Sequence, residues 1–146
     1  MGRAKIGNNS SIIVGGKGVI TIGENFNATS TLKIICLNSI VFGKNTLIGW
    51  DNLFLDFDFH NLKYLGNLKR TKGYGTINVG DNVWFSNGCR TYKNIEIPNN
   101  TVICANTILA KLYLTDENTI IGSNSSVEIK RHNVFHDFID DNIIIP

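Results

Sequence analysis

The stretch VGDNVWFSNGCRTYKNIEIPNNTVICANTIL, residues 79–109, repeats one pattern every six residues. Counting in sixes gives a series that is apolar except for one β-branched threonine: Val79, Phe85, Thr91, Ile97, Ile103 and Leu109. Six residues of α-helix turn through about 600°, so these side chains would scatter around a helix. In extended strands, an even spacing keeps them on one face. The stretch therefore predicts a series of short strands.

The same unit recurs outside this stretch. A second series reads Phe42, Ile48 and Phe54, and a third reads Ile6 and Ile12. Segments such as IGNNSS, FGKNTL and VGDNVW share the order apolar, glycine, two polar residues and then a small or β-branched residue. Glycine and asparagine tolerate positive φ, so each unit can end in a bend. This pattern is typical of a parallel β-helix with three flat sides. A sandwich or barrel is the alternative, but its turns should be farther apart and less regular.

Composition agrees with an all-β chain. The 146 residues suit one domain, and they include twenty asparagines and fourteen glycines but only four alanines and no glutamine. A net charge of +2 is too small to predict nucleic acid or an anionic membrane as a partner. No apolar run reaches the ~20 residues of a membrane span, and the N-terminus lacks a signal-peptide core. The three cysteines form no CxxC motif, which favours reduced thiols and a cytoplasmic location.

Two segments carry a resemblance to a known family. The run from residue 77 to 111 resembles the I-x-I-G-x-x-V-W-I-G repeats of the hexapeptide-repeat acyltransferases, and IGSNSSVEIK, residues 121–130, is similar to their closing segment. The resemblance implies a left-handed parallel β-helix over residues 1–130. It also implies a loop excursion at about 61–76, a C-terminal tail at 131–146 and a homotrimer with active sites between subunits.

The repeat breaks at a histidine. In GWDNLFLDFDFH, residues 49–60, Phe54 keeps the six-residue count, and the next inward position falls on His60. Burying an imidazole in an apolar stack without a partner is unfavourable. Residues 61–76 then show no repeat and contain four cations and two tyrosines, namely Lys63, Lys69, Arg70, Lys72, Tyr64 and Tyr74. We therefore expect the chain to leave the coil at His60 and turn this side chain towards solvent or a neighbouring subunit. The basic loop would then cover an acceptor site for a sugar or an anion.

The same segment is similar to the W-D … D-x-D-x-H motif of the sugar- and polysaccharide-modifying branch of the family, which implies that His60 is the catalytic base. A neutral imidazole, with an ordinary pKa of about 6.5, suits proton removal from an alcohol. A carboxylate would orient the ring, with Asp58 as the first candidate and Asp56 and Asp51 as alternatives. Two other interpretations remain: His60 is an exposed loop residue, or it binds a metal with Asp56 and Asp58, although that set has few ligands.

The resemblance further implies acetyl-CoA as co-substrate and no required metal. The matching coenzyme positions are Trp84, Ser86, Ala105, Ala110, Lys111 and Lys130. The tryptophan would line the coenzyme groove, the small residues would let the pantetheine approach, and the lysines would lie near the phosphates. Alternatively, Trp84 packs at a corner of the coil and the lysines belong to a solvated surface.

The expected function is therefore transfer of an acetyl group from acetyl-CoA to a hydroxyl of a sugar, a polysaccharide or a surface-glycan precursor. N-acetylation of an amino sugar and a non-catalytic β-helix scaffold remain alternatives. A zinc site at His132 and His136 is disfavoured because no glutamate follows the first histidine as in HExxH and both lie beyond the last repeat.

Overall fold

A computed structural model gives the structure of this chain. It describes residues 2–60, 62–64, 67, 69, 71–112, 115–123 and 127–132. These residues form sixteen short strands and no helix, and so none of them belongs to a helix able to cross a membrane.

The strands follow one another in coils of three. The first two coils contain β1 (Ala4–Ile6), β2 (Ser11–Val14), β3 (Val19–Ile22), β4 (Phe26–Ala28), β5 (Lys33–Cys36) and β6 (Ser39–Phe42). The next two contain β7 (Leu47–Ile48), β8 (Leu53–Leu55), β9 (Thr76–Val79), β10 (Trp84–Phe85), β11 (Arg90–Tyr92) and β12 (Ile95–Ile97). The last strands are β13 (Val102–Ile103), β14 (Ile108–Leu109), β15 (Thr119–Ser123) and β16 (Val127–His132).

Successive coils stack into three sheets. Sheet A has the order β1-β4-β7-β10-β13-β15-β16, sheet B the order β14-β11-β8-β5-β2, and sheet C the order β12-β9-β6-β3. Every pairing is parallel except that of β15 with β16. The result is a three-sided prism, a left-handed parallel β-helix of about six turns, which confirms the predicted fold. We name its edges AB, BC and CA after the sheets that meet there.

The core consists of the side chains that recur at six-residue spacing. The series from Val79 to Leu109 and the series from Phe42 to Phe54 are all buried. The rings of four phenylalanines pack edge to face from the second coil to the fourth, with centroids 5.1, 5.0 and 5.0 Å apart in the order Phe26, Phe42, Phe54 and Phe85. Ile6 and Ile12 keep the inward register but are 39% and 41% exposed, because β1 and β2 are edge strands that no other described coil covers.

Asparagines form the bends at the CA edge. Asn25, Asn45, Asn82 and Asn100 all have φ between 54 and 57°, a region that asparagine tolerates better than most residues. Their amides hydrogen-bond from coil to coil, with Nδ2 to Oδ1 distances of 3.0, 2.8 and 2.9 Å. Close stacking requires glycine at position 43, since a Cβ there would lie 2.4 Å from the carbonyl oxygen of Gly80 in the next coil.

An excursion interrupts the prism at the BC edge between β8 and β9. An isolated antiparallel bridge joins Phe57 to Tyr74, and the amide of Asp58 donates to the carbonyl of Gly73 at 2.8 Å. Two further backbone hydrogen bonds continue this pairing outwards, from Thr71 to Leu62 and from Tyr64 to Lys69. We call residues 57–75 the arm. The excursion predicted at about 61–76 is confirmed; pairing begins at Phe57, and Thr76 already belongs to β9.

The last coil ends in a hairpin. β16 pairs antiparallel with β15, and the register shifts between Ile120 and Ile121. β16 runs to His132 and so crosses the boundary expected at residue 130. The division of the chain at that point stays a prediction, and the tail beyond His132 lies outside the described residues.

Candidate active site

His60 lies outside the prism at the base of the arm. A strict six-residue count would place it inside, but the structure exposes it to solvent. The preceding Phe59 has φ of 62°, an unusual value for a bulky residue, which redirects the chain at this point. The carbonyl oxygen of His60 lies 3.8 Å from the position of a Cβ on Gly73, so the two limbs of the arm are close together here.

Asp56 has a structural role rather than a place beside His60. Its side chain is fully buried, and its two oxygens each accept a 2.8 Å hydrogen bond, one from the amide of Leu37 and the other from the amide of Asn38. The thiol of Cys36 donates to the same carboxylate at 3.3 Å. These three donors fix the BC corner of the second coil, beneath the arm.

Asp51 lies at the AB edge, across sheet B from the arm. Its carboxylate is 3.3 Å from the guanidinium of Arg90, and its amide donates to Thr31 Oγ1 at 2.8 Å. Asp51 has φ of 58°, so it also forms the bend of its coil. This position separates it from His60.

Asp58 is the aspartate that remains near His60. Its carboxylate forms an ion pair with Lys93 of the next coil, and both side chains are partly exposed. A groove of about 460 Å³ surrounds this pair at the BC edge and is lined by Asp58, Tyr92, Lys93, Asn94, Ala110, Lys111 and Leu112. We call it the BC groove. It brings together three of the residues singled out from the sequence, one of them proposed as catalytic and two as coenzyme-binding.

Lys93 was not identified from the sequence. The fourth and fifth coils are 18 residues apart, as Asn82 and Asn100 show. Lys93 lies one such step before Lys111, which lines the same groove. Counting back one coil from the expected basic position would therefore have found it.

The other coenzyme positions lie on a different side of the prism. Trp84 is in β10 on the outer face of sheet A, 37% exposed, and therefore within a strand and not at a corner. Ser86 and Ala105 occupy AB corners of successive coils, and the amide of Ser86 donates to the carbonyl of Ile103 at 2.9 Å. The side chain of Lys130 lies outside the described residues. Within one chain, the five expected coenzyme residues that the structure describes therefore lie at two separate places on the prism.

The buried cysteines are poor nucleophiles. Burial raises the pKa of Cys36 to about 11, with a further contribution from its hydrogen bond to Asp56. Burial also raises the pKa of Cys89 to about 11. Both thiols are therefore protonated at neutral pH. Among the residues that the structure describes, no three histidine, cysteine or acidic side chains converge as metal ligands.

The solved structures that this chain resembles include acetyltransferases and an N-acyltransferase. The polysialic-acid-specific acetyltransferase NeuO aligns with a TM-score of 0.73 at 17% identity over 86% of this chain and 53% of its own. A maltose O-acetyltransferase from Clostridium difficile 630 aligns with a TM-score of 0.68 at 23% identity over 90% of this chain and 68% of its own. AntD, an N-acyltransferase from Bacillus cereus in complex with dTDP and coenzyme A, aligns with a TM-score of 0.56 at 14% identity over 88% of this chain and 83% of its own.

These likenesses establish the fold. The chain spans about half the length of NeuO. No protein-family model and no curated protein matches the sequence.

Proposed function

We propose that this protein is an acetyltransferase that transfers an acetyl group from acetyl-CoA to a hydroxyl of a sugar or glycan precursor, with His60 as the general base. The observation that carries the proposal is the position of His60. The inward repeat predicts this residue inside the prism, yet the fold exposes it at the base of the arm, two residues after Asp58, which lines the BC groove and pairs with Lys93. Two solved structures with a similar fold support a glycan acceptor, because one is a polysialic-acid-specific acetyltransferase and the other a maltose O-acetyltransferase.

His60 has a simple role in this reaction. Acetyl-CoA supplies the acetyl group in activated form, as a thioester. The ring nitrogen accepts the proton of the acceptor hydroxyl while that oxygen attacks the acetyl carbonyl, and the departing thiolate takes up a proton. The bond formed is the new ester, and the bond broken is the thioester. Asp58 is the positioning candidate, because Asp56 and Asp51 are engaged elsewhere, whereas the Asp58–Lys93 pair is partly exposed and only weakly held.

Acetyl-CoA would bind between two copies of the chain. Ala110 and Lys111 lie at the BC groove, whereas Trp84, Ser86 and Ala105 lie on sheet A and at the AB edge. Small residues permit close approach of the pantetheine, and the lysine offers a cation for a phosphate. Because these two sets face different sides, we propose a homotrimer in which one subunit supplies the BC groove and its neighbour supplies the other set.

One experiment tests the catalytic assignment. Acetyl-CoA should raise the melting temperature of both the wild-type protein and His60→Ala. Only the wild type should release thiol with sugar acceptors, and added imidazole should partly restore the variant if a base is what it lacks. Undiminished turnover by His60→Ala would refute the assignment of His60 as the general base. A wild type without a thermal shift at millimolar acetyl-CoA would favour the scaffold alternative.

N-acetylation is the second candidate, because AntD shares the fold and is an N-acyltransferase. Amino-sugar and hydroxyl-only acceptors should be compared under identical conditions. An ester product is cleaved by mild base, whereas an amide product survives, so this treatment separates the two reactions.

A further inference from the structure

Charge is distributed unevenly among the three edges of the prism. The BC edge comprises the corner at 15–18 of the first coil, the corner at 37–38 of the second, the arm, and the corners at 93–94 and 110–112. Its described cations are Lys17, Lys63, Lys69, Lys72, Lys93 and Lys111. Within the described part of this edge, Asp58 is the one exposed acidic residue, since Asp56 is fully buried. We call this the basic edge.

The other two edges differ from it. The CA edge carries mainly acidic side chains among its described residues, namely Glu24, Asp81, Asp116 and Glu117, with Lys44. The AB edge carries Asp51 at a corner, paired with Arg90. The net charge of +2 for the whole chain therefore conceals one strongly cationic strip.

The cations of the basic edge follow the axis as an interrupted line, with Lys17 on the first coil, the lysines of the arm on the third, Lys93 on the fourth and Lys111 on the fifth, whereas the corner of the second coil has none. Coils of a β-solenoid repeat about every 4.8 Å, so Lys17 in the first coil and Lys111 in the fifth are about 19 Å apart along the axis. The line passes the base of the arm, where His60 is exposed. A single small anion would need only one or two of these cations, whereas a chain of repeated anionic groups can contact several.

The arm adds aromatic surface to this strip. Tyr64 and Tyr74 are 61% and 45% exposed. The ammonium of Lys72 lies 4.9 Å from the centre of the Tyr74 ring, which holds a cation and an aromatic face together. Aromatic faces with nearby polar groups are common in ligand sites, and a sugar ring can pack its C–H face on such a surface.

We propose that the acceptor is an anionic glycan chain that lies along the basic edge, so that one of its hydroxyls reaches His60. This proposal rests on the proposed acetyltransferase function, because it assigns the acceptor of that site. The repeated charges of the chain would face the lysines, and the tyrosines of the arm would contact its rings. Partly exposed cations act over a distance comparable to the Debye length, so binding should weaken as salt rises.

The test measures binding without acetyl-CoA and so does not depend on catalysis. Decameric oligogalacturonate and a heparin decasaccharide serve as anionic probes, and methyl-esterified oligogalacturonate is the neutral match for the first. At least one anionic probe should bind more tightly than the ester. Lys17→Gln/Lys72→Gln should weaken that binding about threefold to tenfold, as expected for two exposed charge contacts. The control Lys5→Gln/Lys44→Gln removes the same charge away from the basic edge and should leave binding unchanged.

Several outcomes would overturn the proposal. Equal binding of the ester and both anionic probes would exclude charge recognition. Equal weakening by the control pair would show that total charge, and not this edge, attracts the ligand. Tighter binding of a ten-nucleotide single-stranded DNA than of either glycan would assign the edge to nucleic acid. Thiol release with small neutral sugars is measured separately, so acetyl transfer can fail or survive independently of glycan binding.

Discussion

Two buried threonines illustrate how position decides the effect of a hydroxyl. Thr91 is an inward residue of sheet B whose partners in the adjacent coils are Phe54 and Leu109, and it is fully buried. Its hydroxyl has no hydrogen-bond partner among the described residues. Thr107 is equally buried, but its hydroxyl donates to the carbonyl of Cys104 at 2.7 Å. A buried polar group without a partner costs about 1–3 kcal/mol, whereas a satisfied one contributes to stability.

We therefore predict opposite effects of the same substitution at these two positions. Thr91→Val should raise the free energy of unfolding by about 1 kcal/mol, because a methyl group replaces a hydroxyl that lacks a partner. Thr107→Val should lower it by about 1 kcal/mol, because the carbonyl of Cys104 loses the hydroxyl donor and keeps only the weaker thiol donor of Cys89, at 3.1 Å. Equilibrium denaturation in urea measures both values. Equal destabilisation by the two variants would mean that Thr91 has a partner in solution.

For the strands and corners, the sequence predicted which side chains point into the prism, but it did not predict which residues of neighbouring coils are in contact. An even spacing fixes which side chains share a face, so the six-residue series identified the core, including Thr91. Stacking between coils depends on the length of each coil, and this varies: paired asparagines are 20, 37 and then 18 residues apart. The sequence therefore could not choose among three aspartates or assign Lys93 to Asp58.

The arm was visible in the sequence only as a gap in the repeat. Its backbone pairing involves few side-chain signals, and the segment lacks the Asn-Gly turn that marks short hairpins. Asp56, just before the arm, could not be distinguished from a catalytic acid because its role depends on two amides of the preceding coil. Burial of that carboxylate was thus beyond what the sequence pattern could show.

The arm should be dispensable for folding and required for transfer. Residues 58 and 73 are already paired through a backbone hydrogen bond, so residues 59–72 can be replaced by a two-residue Asn-Gly turn. We expect a folded protein whose melting temperature changes by a few degrees, since the phenylalanine stack is untouched. It should keep the thermal shift with acetyl-CoA and lose acetyl transfer. An unfolded product would instead show that the arm supports the prism.

For the whole molecule, the contrast between its edges explains why composition was a poor guide to binding partners. In the net charge of the whole chain, the acidic residues of the CA edge largely cancel the lysines of the basic edge, so the sum is only +2. The separation appears only when each corner is assigned to an edge, which requires the order of strands in all three sheets. Among the described strands, the same order shows that the first coil contacts a single neighbouring coil, whereas the second to fourth coils each contact two.

Stability should accordingly decrease towards the first coil. In a solenoid, each coil is stabilised mainly by its interfaces with adjacent coils. The inward Ile12 and Val14 of β2 are 41% and 52% exposed, whereas Ile34 and Cys36, their partners in β5, are fully buried. We predict that amides of β2 exchange with deuterium at least about tenfold faster than those of β5 and β8, equivalent to ~1.4 kcal/mol in opening free energy. Mass spectrometry of peptides at two protein concentrations measures this, and equally slow exchange in all three strands at the lower concentration would refute it.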